Sequence, residues 1–354
     1  MKIFKIINDE TKITCIKYIF ALIAVFIIGS ILIFLQGEGP FNAFSLILKG
    51  AFGSILNFGS TLRYTLPCIL IATSAAIAFK SGVFNLGLEG QLYFGALVAA
   101  VVGYSYELPS VIHITICLLA AGLAGMLYAL IPALLKLLLN VSELITTLMF
   151  NFIALLLTEY ITMWWIYDGV SSLGSNAIAT PTVFSTARLP LVIKGTSASY
   201  GIFIALFIAL LVYLFYKYTI KGYELKQVGE NIKFAKVGGI NTKMSFISIF
   251  LISGFIAGLC GGIEVSGSFG RFTANFASNM GWDGIMVAYI ANNNPISIVI
   301  VSFLWGALKS GALNMERLTE LNKLTVNILQ MLFVLFVSVD YRVLLDKVKI
   351  SKKK

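Results

Sequence analysis

Long runs of apolar residues, separated by short polar or charged stretches, dominate the chain from end to end. The uncharged runs cover residues 18–35, 64–79, 92–104, 111–135, 144–158, 201–216, 244–263, 284–291, 296–308 and 324–339. A helix that crosses a bilayer needs about 20 predominantly apolar residues, so the longer runs predict membrane-spanning helices. The runs at 92–104 and 284–291 are short. They either borrow neighbouring polar residues or are broken, partly unwound helices that line a cavity.

The first run is too long for the core of a cleaved signal peptide and has no small-residue cleavage site after it. Polar Gln36 and Glu38 follow instead, so an uncleaved first helix is expected. With the amino terminus inside and each run crossing once, 18 of the 26 Lys and Arg residues fall on the inner side. The reverse orientation inverts that bias, against the positive-inside rule. Both termini are then cytoplasmic, and ten crossings satisfy the parity. The expected fold is therefore all-α and polytopic, with about ten transmembrane helices in one transmembrane domain over residues 1–354. A cytoplasmic tail occupies 1–17, a large cytoplasmic loop 217–243 and a basic cytoplasmic tail 340–354. Five crossings on each side of residue 190 permit an inverted repeat. The segment 164–199 is the longest outer loop, and Tyr160, Trp164, Trp165 and Tyr167 at its start read as an interfacial aromatic belt.

Composition narrows the function. Of the 354 residues 58% are hydrophobic and 12% charged, about half the charge of a water-soluble chain. The net charge of +10 sits between the apolar runs, which favours a membrane reading over a nucleic-acid one. Cys15, Cys68, Cys117 and Cys260 have neither disulfide-framework nor metal-ligand spacing. The one histidine, His113, near a helix end, reads as an interfacial polar residue. No phosphate-binding loop is present, since Gly306 to Gly311 has the wrong spacing, so an ATP-driven role requires another chain to bind the nucleotide. Nucleophile-elbow and zinc-protease patterns are also missing, which argues against an enzyme.

The loop 217–243 carries apolar Leu225, Val228, Ile232, Phe234 and Val237 at partly helical spacing, with Gly229, Gly238 and Gly239 as breaks. A solvated connector has no need of so many apolar residues, and a docking surface for a cytoplasmic partner is expected. Glu224, Leu225, Val228, Gly229, Asn231, Ala235, Gly239 and Ile240 resemble the coupling segment of ABC importer permeases of the branched-chain amino acid, ribose and nucleoside group. Phe234 stands where that family often has the first of two alanines. Phe84 to Gln91 (Phe-Asn-Leu-Gly-Leu-Glu-Gly-Gln) is similar to a signature of the nucleoside and simple-sugar permeases. Similar stretches run from Glu143 to Asn151, Ala187 to Pro190, Asn292 to Pro295 and Gly306 to Gly311.

The resemblance implies a transport subunit in a bacterial inner membrane. Its partners would be a separate ATP-binding subunit, a second, homologous but non-identical permease and an extracytoplasmic binding protein or lipoprotein. ATP and magnesium would reside on the ATPase, with no cofactor or metal bound by this chain. A nucleoside is the favoured solute. A simple sugar such as ribose or galactose is the alternative, and an ion-coupled secondary transporter with Glu89 as its essential acid is a third reading.

Candidate pathway residues are Asn85, Glu89, Gln91, Asn151, Asp283, Asn292 and Asn293. Each has a structural reading beside the functional one. Asn85 also suits a helix cap and Glu89 a first-turn carboxylate. Asn151 suits an interhelical hydrogen bond, and Asp283 and Asn292 to Asn294 suit the ends of a broken helix. Gly254, Gly258 and Gly262 form a small-residue stripe for close helix packing. The scarcity of charge in the apolar runs, against abundant Asn, Gln, Ser and Thr, suits a neutral, hydroxyl-bearing solute.

Overall fold

The computed structural model describes Tyr18, Phe20, Ala21 and residues 23–166, 178–322 and 324–338. The expected tails at 1–17 and 340–354, and Tyr167, lie outside the described residues. Thirteen helices follow in order among those described. They are α1 Ile23–Leu35, α2 Pro40–Phe52, α3 Ile55–Lys80, α4 Leu88–Ser105, α5 Ser110–Leu139, α6 Glu143–Ile161 and α7 Gly201–Tyr218. After these come α8 Ile220–Glu230, α9 Ile232–Val237, α10 Thr242–Glu264, α11 Met280–Ile290, α12 Pro295–Leu318 and α13 Leu324–Ser338. One-turn π-helices extend α6 (Thr162–Ile166) and α10 (Val265–Phe269).

Every apolar run of the sequence coincides with one of these helices. Among the described residues six helices are long and apolar enough to cross a bilayer, and a seventh span results if the bent pair α1–α2, with its 111° break, counts as one. This is fewer than the ten runs, for local reasons. The first turns of α4 carry Glu89 and Gln91, α11 has 11 residues, and α13 has 15. Helix α2 corresponds to none of the runs. It starts at Pro40, which fixes the first helical φ and gives up no needed N–H there.

The chain divides into two compact units, Met1–Gly53 with Leu308–Lys354, and Ser54–Ala307. In the first, Ile33, Ala43, Ile47, Ala312, Met315, Leu321 and Val326 form a small apolar core. The Asn314 carboxamide donates to the Leu46 carbonyl at 3.0 Å.

In the larger unit α3, α4 and α10 form the centre. Ser54 caps α3, its hydroxyl accepting from the Asn57 N–H at 3.1 Å. From Thr65 to Ala78 every residue of α3 is buried, so this stretch has no face for lipid. Helix α10 packs against both α5 and α4, which also pack on each other. A Cβ at Gly254 would meet Ala129 and the Gly125 carbonyl, at Gly258 Ala121 and Gly125, and at Gly262 Ala121. Gly261 in turn admits the Leu92 carbonyl and Gly95 admits Gly258, so bare backbones touch on both sides of α10. The outer helices have the opposite character. Phe203, Phe207 and Leu210 of α7 and Phe152 and Leu156 of α6 are more than half exposed, the pattern of surfaces solvated by hydrocarbon. Tyr160, Trp164 and Trp165 are exposed at the end of α6 and its π-turn.

Candidate functional site

The stretch from Phe84 to Gln91 forms an irregular turn followed by the start of α4, and it is held by side chains from three other helices. The Asn85 and Gln91 carboxamides pair with each other, each donating to the other's oxygen at 3.1 and 3.0 Å. The Asn85 amide also donates to the Ser253 hydroxyl at 2.9 Å, and Ser74 donates to the Ser253 carbonyl at 2.6 Å. The Asn85 oxygen accepts from the Gly87 N–H, closing an Asx turn. Asn85 and Gln91 are fully buried.

Asn151 of α6 grips the same turn from the other side. Its amide donates to the Leu86 carbonyl and its oxygen accepts from the Gly90 N–H, both at 2.8 Å. Thr147 accepts from the Leu86 N–H at 3.2 Å. Backbone groups that leave helical geometry inside an apolar bundle need such partners, because no water is at hand. Asn85, Gln91 and Asn151 are thus brought together as one network whose amides bond mainly to one another and to the backbone.

Glu89 faces elsewhere. Its carboxylate accepts from the Asn279 N–H at 3.3 Å and lies against Gly281 at the start of α11. Asp283, one turn into α11, is buried and accepts from the Trp305 indole N–H at 3.2 Å. Asn292 and Asn293 stand apart from these groups, with φ of 49° and 56°, in the turn that ends α11. Asparagine tolerates this left-handed region better than other chiral residues. The Asn294 side chain then accepts from the Ile296 N–H at the start of α12.

Two charged residues of the apolar bundle were not among the candidate site residues of the sequence. Glu264, fully buried at the end of α10, pairs with Arg63 of α3 at 2.7 and 3.2 Å. The Arg63 guanidinium also lies over the rings of Tyr64 and Phe269. Glu89 is therefore not the only carboxylate among the spans. The signal was available, since Glu264 follows an apolar run directly, but its partner lies 201 residues away. His113 is buried rather than interfacial, and its Nδ1 lies 2.9 Å from the Thr186 hydroxyl.

The segment 217–243 folds into α8 and α9. Thr219 caps α8 by accepting from Gly222, and Asn231 caps α9 by accepting from Lys233 and Phe234. Gly239, at φ +80°, ends α9, with the Ile240 N–H returning to the Ala235 carbonyl at 3.0 Å. Leu225, Val228 and Ala235 point inward and are buried. Gly229 rests on the backbone of Lys80, Ser81 and Gly82, where any Cβ would overlap the Lys80 carbonyl. Glu224 pairs with Lys221 at the surface. The outward face consists of Ile220, Tyr223, Ile232, Phe234 and Val237, the last 89% exposed. The residues that match the coupling pattern therefore mostly anchor the two helices. The apolar side chains interleaved with them remain open to a partner.

A profile described as branched-chain amino acid transport system / permease component matches residues 57–337. The chain is 33% identical to the guanosine ABC transporter permease protein NupP of Bacillus subtilis, over 92% of this chain and 93% of that one. It is 27% identical to the nucleoside ABC transporter permease protein NupB of Lactococcus lactis, over 98% and 96%. It is 28% identical to the glucose ABC transporter permease protein TsgB13 of Haloferax volcanii, over 90% and 85%. No solved structure matches. With most of its length matched and its apolar helices in place, the chain belongs to the branched-chain amino acid transport system permease family, as a multi-pass membrane transport subunit of ABC type and not an enzyme.

Proposed function

We propose that the chain is the translocating permease of an ATP-driven nucleoside importer in a bacterial cytoplasmic membrane. The observation that carries this is the α8–α9 pair. Its inward side is locked by Leu225, Val228, Ala235 and Gly229, while Ile232, Phe234 and Val237 stand exposed, as a docking surface for a separate ATPase requires. The nucleoside assignment is supported by the similarity to the guanosine and nucleoside permeases, and by the neutral amides and hydroxyls along the bundle.

In this reading the whole chain is one permease domain that crosses the membrane ten times. Its second half repeats the first in inverted form, and both termini and the 217–243 segment face the cytosol. Partners are the ATP-binding subunit, a homologous second permease and a solute-binding protein or lipoprotein. ATP and magnesium stay on the ATPase, and this chain needs no metal or cofactor. Asn85, Glu89, Gln91, Asn151, Asp283, Asn292 and Asn293 shape the path or hold its walls. Nucleotide binding closes the ATPases, α8 and α9 are displaced, and the bundle rocks between outward- and inward-facing states.

Uptake of guanosine by proteoliposomes holding the complete assembly, with ATP inside and out compared, tests the proposal. ATP-dependent guanosine accumulation is the expected result, and accumulation indifferent to ATP would refute it. A simple sugar is the second reading, favoured by the similarity to the glucose permease. The same assay with glucose, ribose and galactose decides between them.

A further inference from the structure

Helix α10 with its π-turn ends at Phe269, and helix α11 begins at Met280. The ten residues between them do not remain at the end of the bundle. Gly270 and Phe272 bond to Val183 and Thr180 beside the far end of α4, where the Gly103 carbonyl accepts from Phe184. Ala277 then donates to the Tyr93 hydroxyl at 3.3 Å and Asn279 to Glu89 at 3.3 Å, in the first two turns of α4. Asn85 bonds to Ser253 and Leu92 packs on Gly261, so Glu89 lies level with the stretch of α10 between those residues. That stretch is the middle of the candidate span Thr242–Phe269. Residues 270–279 therefore descend as non-helical backbone to mid-span depth and hand over to the half-helix α11. Irregular backbone at such depth persists where it is packed in protein or lines a polar cavity.

Here it presents polar side chains outward. Asn275, Ser278 and Asn279 are all exposed, although they sit deep along the bundle. All three hold positive φ, at 57°, 39° and 70°. They are half of the six such non-glycine residues among those described, and strain of this kind clusters at ligand sites. The Tyr93 hydroxyl donates to the Asn275 oxygen at 3.4 Å. Behind the polar groups is an aromatic wall. Phe276 meets Phe269, Tyr93 and Phe272 edge to face, with ring centroids 5.2, 5.4 and 5.7 Å apart. Phe269 is 40% exposed and Phe276 partly so.

We infer that Asn275, Ser278 and Asn279, with the rings of Phe269 and Phe276, form a solute-reading surface for the planar base of a nucleoside. This deepens the proposed function and rests on it. Carboxamides match the paired donor and acceptor edges of a heteroaromatic base, and aromatic rings supply stacking partners for its face. None of these five residues is in the motifs that resemble the family, and all five lie in a stretch that hydropathy marks only as a gap.

The test uses the complete importer in proteoliposomes. Asn275→Gly with Asn279→Gly removes both amides and keeps the left-handed backbone free of strain. Purine-nucleoside uptake is expected to fall about tenfold or more, the worth of one to two lost hydrogen bonds, in a complex that still purifies intact. Separately, Ser278→Cys should be alkylated by an impermeant maleimide, and guanosine but not ribose should slow that reaction. Wild-type rates and solute preference in the double variant, or a Ser278→Cys thiol that guanosine leaves unprotected, would overturn the inference while the functional reading stood. A wild-type complex that imports no nucleoside would overturn both.

Discussion

Arg63 and Glu264 meet as a two-contact ion pair, 2.7 and 3.2 Å, although they lie on different helices and the carboxylate is wholly buried. Removing either partner leaves the other charge in an apolar bundle. Arg63→Met or Glu264→Leu alone is therefore expected to destabilise the protein by about 3–5 kcal/mol, while the two together are much closer to wild type. Thermal unfolding in detergent of the two single variants and the double variant measures the difference. Additive losses would refute direct coupling.

Asn151 makes two 2.8 Å bonds to the backbone of the turn before α4. Asn151→Ala orphans the Leu86 carbonyl and the Gly90 N–H, at an expected cost of about 1–3 kcal/mol each where no other group takes over. Asn151→Asp keeps the acceptor for Gly90 but sets a carboxylate against the Leu86 carbonyl, so it should not restore wild-type stability. Hydrogen exchange of the Gly90 amide reports the loss locally, and unchanged protection would count against the clamp.

The exposed apolar face of α8 and α9 gives a prediction with the opposite profile. Phe234→Asp with Val237→Asp should leave melting unaltered, because both side chains are largely exposed. Capture of the ATPase in co-purification should drop about tenfold or more, as happens when apolar anchors are lost from an interface. Glu224→Lys and Gly239→Trp are expected to reduce uptake with insertion preserved, the second because only glycine holds φ +80° there without strain.

Gly229→Ala places a methyl against the Lys80 carbonyl. The proposed ATPase-binding face is untouched, so the assembly should still purify, while ATP-driven uptake falls several-fold as α8 is pushed off the α3–α4 turn. Uptake at the wild-type rate would show that this contact plays no part in coupling.

The helical architecture was legible because each apolar run became a helix, and residues 217–243 declared α8 and α9 through Asn231 and Gly239, which cap and end them. Distances were not legible. Nothing local in the sequence says that Asn85 and Gln91 satisfy each other, since that depends on Ser253 and Ser74 closing around them. Nor does periodicity show which apolar residues of the 217–243 segment turn inward. Leu225 and Ile232 read alike, yet one is buried under α8 and the other exposed. The descent of residues 270–279 was hidden for a further reason. Polar residues between two apolar runs look like a surface loop, and only their contacts with Tyr93 and Glu89 place them along the bundle.

Between α8 and the turn that follows α3, the touching atoms at Gly229 and Gly82 are main-chain atoms. Side chains yield by changing rotamer, and a joint made without them has no such slack. In the proposed cycle, a thrust delivered to α8 would therefore reach the Asn85 turn as through a rigid strut, with the absence of two side chains setting the stiffness of that linkage.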